Sequence, residues 1–168
     1  MSESQTRDPQ QVQTQTPADV VRSVAAGVSR LVSGNLDPAQ REEQLDRLAA
    51  LYGEATDVRH PFAPLGDNPR FSRAGIREHF AAARVPAESL TAVDVHVHET
   101  ADPEVVITEF RYVGTTAGRP FSWPCIFVTR VRDGVIVEAR DYTDHIGAAR
   151  AFGQLDALAA ALAEQVGA

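Results

Sequence analysis

Between Leu90 and Thr143 apolar and polar residues alternate in four long runs with turn signals between them. No other feature of the chain limits its possible folds so strongly. A period of two places successive side chains on opposite faces of a strand. In Leu90 to Glu99 it puts Val93, Val95 and Val97 on one face and Asp94, His96 and His98 on the other. TADP, Thr100 to Pro103, is a turn. Val105 to Thr115 carries Val106, Thr108, Phe110 and Tyr112 on one face and Glu109 and Arg111 on the other. TAGRP, around Gly118, turns the chain again. Phe121 to Val131 alternates Trp123, Cys125, Phe127 and Thr129 with Pro124, Ile126, Val128 and Arg130. Arg132-Asp133-Gly134 is a hairpin signal, and a fourth strand runs from Val135 towards His145.

The first half reads as helical. Val20, Val21, Val24, Val28, Leu31 and Val32 recur at helical spacing from Ala18, and Ser33 to Asn35 ends that helix. Asp37 before Pro38 is an N-cap with proline at the first helical position. The second helix runs to about Tyr52, with Leu45, Leu48, Ala49 and Tyr52 as its buried stripe. ATDVRHPF is a short strand ending at Pro61, and APLGDNPRF is a loop punctuated by Pro64, Gly66 and Pro69. Ser72 caps a third helix, Arg73 to Arg84, and a terminal helix spans about Ile146 to Leu162. Residues 1–16 are polar and are expected to be a disordered tail, so that residues 17–163 form one domain. Helices followed by a meander of long strands give an α+β fold, a curved antiparallel sheet wrapped by three to four helices. Such a cone encloses a pocket at its open end.

Composition narrows the function. At 168 residues the chain can bury a core without staples, and its net charge of -7 argues against a nucleic-acid surface. Cys125 is the only cysteine, which excludes an intrachain disulfide and a thiolate cluster within one chain. No apolar stretch spans a bilayer, and no basic-then-apolar leader pattern opens the sequence. The expectation is a cytoplasmic protein with no membrane or nucleic-acid partner and no metal or other cofactor. Phosphate loops, G-x-S-x-G elbows and H-E-x-x-H pairs are missing from the sequence.

One residue disturbs the apolar pattern. In the last strand Val135, Val137, Ala139 and Asp141 share a face, opposite Ile136, Glu138, Arg140 and Tyr142. A carboxylate in line with an apolar row is costly unless it has a partner or a job. At the edge of an apolar cavity it becomes a general acid or base that works near neutral pH. The other reading places Asp141 at the strand's frayed end, facing water. The same face gives a candidate lining of Val93, Val95, Thr108, Phe110, Tyr112, Trp123, Cys125, Phe127, Val137 and Asp141. Tyr112 and Trp123 carry polar tips suited to ligand contact, whereas Phe110 and Phe127 equally fit simple core filling. His60, at the cavity's rim, and His79, beside the buried stripe of the third helix, could exchange protons or orient Asp141. His96 and His98 fit a polar outer face, and His145 fits a cap or ion pair. Apolar neighbours would raise the Cys125 pKa and leave it a poor nucleophile.

Several stretches together resemble a known family. They are the short strand ending in R-H-P-F, then G-I-R-E-H-F, H-E-T-A-D-P-E and R-V-R-D-G-V-I-V-E-A-R-D-Y-T-D-H. From roughly Val20 to Phe152 they look like the SnoaL-like branch of the nuclear transport factor 2-like superfamily. The resemblance implies a cone-shaped α+β barrel and a homodimer formed through the outer sheet face. Limonene epoxide hydrolases carry a working aspartate in a stretch similar to the one holding Asp141, but their Arg and Asp partners would fall at Phe110 and Tyr112. Ketosteroid isomerases have their base at the place of His60-Pro61, with an oxyanion acid near Phe127 and a tyrosine near Val28. Neither set is present. The phenazine-biosynthesis A/B proteins are similar in the second half; their helix-three histidine matches His79 and their last-strand glutamate matches Asp141. SnoaL-type polyketide cyclases also use an aspartate that matches the last strand.

The leading expectation is a cofactor-independent enzyme acting on a small hydrophobic, carbonyl-bearing metabolite by cyclisation, isomerisation or condensation. In it Asp141, His79 and His60 exchange or direct the proton, and Tyr112, Trp123, Phe110, Phe127, Thr108 and Cys125 line the substrate. Two alternatives stay open. One is a ligand-binding or scaffolding domain without chemistry. The other is a collapsed pocket filled by Phe110, Trp123 and Phe127 in a dimer-forming interaction protein.

Overall fold

The computed structural model describes residues 15–82 and 87–166. The expected N-terminal tail lies outside them, apart from residues 15 and 16, as does the expected end of the third helix beyond Ala82. Among the described residues, five helices and a six-stranded, unclosed sheet make an α+β fold.

Helix α1, Pro17–Ser33, and helix α2, Pro38–Ala50, each begin with proline behind a capping box, Thr16 with Asp19 and Asp37 with Gln40. The chain leaves α2 two residues before Tyr52, which instead opens strand β1, Tyr52–Arg59. The segment expected to be wholly loop contains a short strand, β2, Arg70–Ser72, paired antiparallel to β1. Ser72 then accepts the Gly75 N–H at the start of α3, Arg73–Ala82. Strands β3, Ser89–Glu99, β4, Val105–Thr116, β5, Arg119–Arg132, and β6, Val135–Thr143, form the expected meander. The sheet order is β2-β1-β6-β5-β4-β3, with β1 and β6 as its one parallel pair. The terminal helix is broken into α4, His145–Ala151, and α5, Leu155–Val166, at Gly153, whose φ of 67° no helix accommodates.

Two bulges revise the expected faces. Across β5 and β6, Arg130 pairs with Glu138 but Val131 pairs with Ile136, so Val137 is an extra residue. Ile136, expected outside, is therefore 2% exposed in the core, and Val135 and Val137 leave the inner row. Across β3 and β4 the register slips between Val93 and His96, where Asp94 has a φ of 53°. Leu90, Ala92, Val95 and Val97 then face inward, while Val93 pairs with Arg111 on the outer face. His96 and His98 are exposed there, and His98 meets Glu109.

Helix α1 lies across the inner face. Val20 and Val24 pack on Tyr52, Val58, Ile76, Ile136 and Ala139. A second cluster holds Leu90, Phe110, Phe121, Trp123 and Cys125, and a third joins Leu31 to Leu45 and Leu48. Val28 touches all three, so α1 ties the core together. Among the described residues no helix is long and apolar enough to cross a membrane.

Gly114 of β4 pairs with Leu90 of β3. A Cβ there would run into the Ser89 carbonyl oxygen and the Phe121 ring. Gly114→Ala should therefore lower stability by on the order of 1–3 kcal/mol in urea denaturation, since neither the strand nor the stacked ring can give way. The exposed neighbour Thr91→Ala should stay within about 0.5 kcal/mol of wild type. Equal effects would contradict this packing.

Candidate functional site

Cross-strand register builds the site. Phe127 pairs with Asp141, Thr108 with Phe127, Phe110 with Cys125, Tyr112 with Trp123, and Cys125 with Thr143. Directly paired residues share a face. Thr108, Phe110, Tyr112, Trp123, Cys125, Phe127 and Asp141 thus line the inner face together, as expected. On the far side of β6, Val58 pairs with Ala139 and Arg59 with Arg140, so His60, one residue on, comes level with Asp141.

The interior is mostly filled. Phe110 meets Tyr112 and Phe127 edge-on at 4.9 and 5.0 Å, Tyr112 leans on Trp123, and Trp123 stacks on Phe121 at 5.0 Å. Phe152 of the turn after α4 closes on Phe121 and Trp123 at 5.5 Å. What remains beneath α1 is a cavity of about 20 Å³, lined by Val24, Thr108, Phe110, Tyr112, Phe127 and Ile136 among others. Asp141, His60 and His79 are not in that lining. A larger groove of about 550 Å³ lies outside the cone, between Ala63–Leu65 and helices α4 and α5, with His145 in its wall.

Asp141 keeps a minor exposed surface, but its Oδ1 has none and no hydrogen-bond partner. Burial pushes its carboxyl up to about 7, although Arg70 and Arg140 pull the other way. Tyr52 and Tyr112 are both raised, by burial first, and both feel the Asp141 charge. Burial likewise pushes the Cys125 thiol up to about 11, so it is not a thiolate at neutral pH.

Three histidines gather beside this row. The His60 ring lies 6.1 Å from His79 and 6.0 Å from His145, centre to centre. Burial, with Arg70 pushing the same way, lowers both His60 and His79 to about 4; burial lowers His145 as well. All three are neutral at pH 7. Helix α4 is capped by Asp144, which accepts the Gly147 N–H at 2.7 Å, and His145 turns instead towards His60. Five buried polar atoms lack partners among the described residues: His60 Nδ1, Thr108 Oγ1, Trp123 Nε1, Asp141 Oδ1 and His145 Nε2. Such atoms are costly to leave bare and are what a bound polar ligand would satisfy. Among the described residues no three His, Cys, Asp or Glu side chains converge to hold a metal ion.

Arg70, Tyr52 and His145 were not picked out from the sequence as site residues. Arg70 and Asp141 influence each other's charge, and Arg70 also acts on His60 and His79. The signal for Arg70 was its place between Pro69 and Phe71, where a strand could begin.

The model of the SnoaL-like domain family matches residues 36–139. An uncharacterised PhzA/B-like protein of Pseudomonas aeruginosa is 37% identical over 103 residues, 59% of this chain and 72% of that one. A Bacillus subtilis protein provisionally named an isomerase superposes with a TM-score of 0.63 at 24% identity, covering 82% of this chain and 93% of the other. IdmH of Streptomyces antibioticus, provisionally named a polyketide cyclase, gives 0.60 at 23% identity over 83% and 99%. A Catenulispora acidiphila protein described as having a ketosteroid isomerase-like fold also superposes, with a TM-score of 0.60 at 19% identity over 83% of this chain and 95% of that one, so the fold is of that kind.

The pKa shifts set opposite pH dependences. Asp141 is raised above its unfolded value of 3.8, so its contribution to stability is full below that pH and is lost as pH rises towards 7. His60 and His79 are lowered from 6.5, so theirs is lost as pH falls towards 4. Asp141→Asn removes only the first. The melting temperature of Asp141→Asn minus that of wild type should increase between pH 4.5 and pH 8, the histidine contribution cancelling in the difference. A difference that stays flat or falls would mean that Asp141 is solvated or ion-paired.

Proposed function

The chain belongs to the SnoaL-like domain family, and on that premise we propose that it is a cofactor-independent enzyme. It moves a proton on a small, hydrophobic, carbonyl-bearing metabolite, in a cyclisation, isomerisation or condensation. One observation carries this reading: a carboxyl on an apolar inner face, with a sealed and unpartnered Oδ1, held at about 7. A carboxyl with that pKa is partly ionised at neutral pH, so it can accept a proton from carbon and return it to oxygen or carbon. A free aspartate, near 3.9, is too weak a base for the same step.

The remaining roles follow from chemistry at each atom. Thr108 Oγ1, which register brings level with Phe127 and so with Asp141, is an unpartnered hydroxyl on the same face and would polarise the substrate's carbonyl oxygen. Tyr112 and Phe127 would hold its apolar part. His60 and His79, being neutral, would act through N–H donation or lone-pair acceptance rather than as fixed cations. The setting we propose is cytoplasmic.

Solvent-deuterium incorporation tests the reading directly. 1,3-Dicarbonyl probes incubated in D2O with the protein should exchange their α-protons faster than in buffer. The rate should rise as Asp141 ionises, with an apparent pKa near 7, and level off at higher pH. Asp141→Asn should lose on the order of 10²–10⁴ in rate with little change in probe affinity. Exchange unaffected by that substitution would remove Asp141 from the chemistry.

The cavity of only about 20 Å³ favours a second reading, a filled cone that serves association rather than turnover. Under it no probe exchanges, and Asp141→Asn changes stability alone.

We also propose a homodimer through the outer sheet face. Ile126 pairs with Tyr142 there and is 45% exposed, and Phe62, 70% exposed, meets Tyr142 edge-on at 5.0 Å. An apolar patch of this kind is a place for a second copy to bury. Ile126→Glu should convert a dimer into a folded monomer by light scattering. A monomeric wild type would end the proposal.

A further inference from the structure

We propose that Arg70 is the anion-holding residue of this site, and that its ligand carries a carboxylate as well as a carbonyl, in the manner of a 2-oxo or 3-oxo acid. The proposal rests on the reading of Asp141 as the proton-exchanging group and adds the chemical class of the substrate.

Register puts Arg70 on the inner face. It pairs with Val58, which is 3% exposed, and Val58 in turn pairs with Ala139, 4% exposed. Asp141 lies two residues beyond Ala139, and His60 two residues beyond Val58, so all three polar groups rise from one end of one face. The neighbour Phe71 points outward, 59% exposed, where it meets the Arg59 guanidinium.

What sets Arg70 apart is the company it lacks. Apart from Arg119, which is exposed at the start of β5, the other arginines of the sheet hold carboxylates: Arg59 holds Asp57, Arg111 holds Asp94, Arg132 holds Glu104, and Arg140 holds Asp57 and Glu138. Arg130 holds three, Asp102, Glu104 and Glu138. Arg70 is half-buried and has no ion pair among the described residues; its one hydrogen bond goes to the Asn68 carbonyl at 3.1 Å. A half-buried guanidinium without a counter-charge is unfavourable, and burial draws its pKa down. Asp141 and Asp67 act on it only through space.

The groups around it suit an anion. His60 and His79 are neutral at pH 7, so they add no second cation beside Arg70 and can meet an anion only through N–H donation. His60 Nδ1 and His145 Nε2 are sealed and unpartnered, ready for an oxygen that accepts from an imidazole N–H. A carboxylate is planar and matches the guanidinium fork with two parallel hydrogen bonds. His145 belongs both to the ring contact with His60 and to the wall of the outer groove, which gives a ligand an approach from solvent. Held at Arg70, an oxo acid has its acidic C–H on the side of the face where Asp141 stands.

Phenylpyruvate and its methyl ester are the test pair, with binding read by calorimetry. Wild type should prefer the acid by about tenfold or more, the worth of a charge-assisted pair. Arg70→Gln should abolish that preference. Arg70→Lys keeps the charge but not the fork, so it should retain part of it, and it decides the matter if the Gln variant fails to fold. Asp141→Asn should keep the preference. No preference in wild type, including failure of both probes to bind, overturns the proposal, as does an undiminished preference in both Arg70 variants. The two readings separate cleanly. Loss of α-proton exchange in Asp141→Asn without any acid preference leaves the catalytic reading standing and removes Arg70. Acid preference lost in Arg70→Gln, with exchange indifferent to Asp141→Asn, does the reverse.

Discussion

The parity of strand β6 is the constraint on which the site depends. Ile136 and Asp141 are five residues apart, and a regular strand cannot send both to one face. The extra residue at Val137 resolves this, pairing Val131 with Ile136 and Phe127 with Asp141. Ile136 is thereby buried under α1 with Val20 and Val24, and Asp141 still enters the inner row. Strand β3 uses the same device. Leu90 and Val97 are seven apart and both face inward, because the register slips at Asp94. Bulges also bend and twist the strands that carry them, which suits a sheet that must curve around a helix.

The carboxyl so placed is expensive, and its surroundings oppose one another. Burial drives Asp141 towards the neutral acid while Arg70 and Arg140 favour the carboxylate. Arg140 is already committed to Asp57 and Glu138, so that of the two arginines acting on Asp141 Arg70 is, among the described residues, the one without an ion pair. The same burial holds His60 and His79 neutral. Proton-bearing groups are thus poised by desolvation rather than by ion pairing. Such poise lowers stability, and a protein retains it most readily where function needs it.

Much of the fold was legible in the residues. The four alternating runs, the Arg132-Asp133-Gly134 turn and the Asp37-Pro38 helix start all correspond to elements of the structure, and Thr108, Phe110, Tyr112, Trp123, Cys125, Phe127 and Asp141 share the inner face. The errors have physical causes. Val93 and Val137 were assigned inward because a bulge interrupts a period that sequence reading takes as unbroken. Arg70 looked like loop, since a three-residue strand between prolines and a helix carries almost no periodicity. His145 looked like part of a helix cap because Asp144 precedes it; the cap is Asp144 alone, and the His145 ring contacts His60, 85 positions earlier in the chain.

Sequence alone determined the fold class, the strand order along the meander and the presence of one carboxyl in an apolar row. These follow from local periodicity and turn chemistry, which neighbouring residues express without help from the rest of the chain. Tertiary structure decided the rest: how full the cone is, which side chains surround Asp141, and that three histidines meet beside it, two of them within the field of Arg70. Those outcomes depend on β1 pairing in parallel with β6 and on where each bulge falls. The first is set by contacts between residues some 80 positions apart, such as Thr56 with the Ile136 carbonyl, and the second by how each strand packs against its partner and the helix above it; no local pattern encodes them.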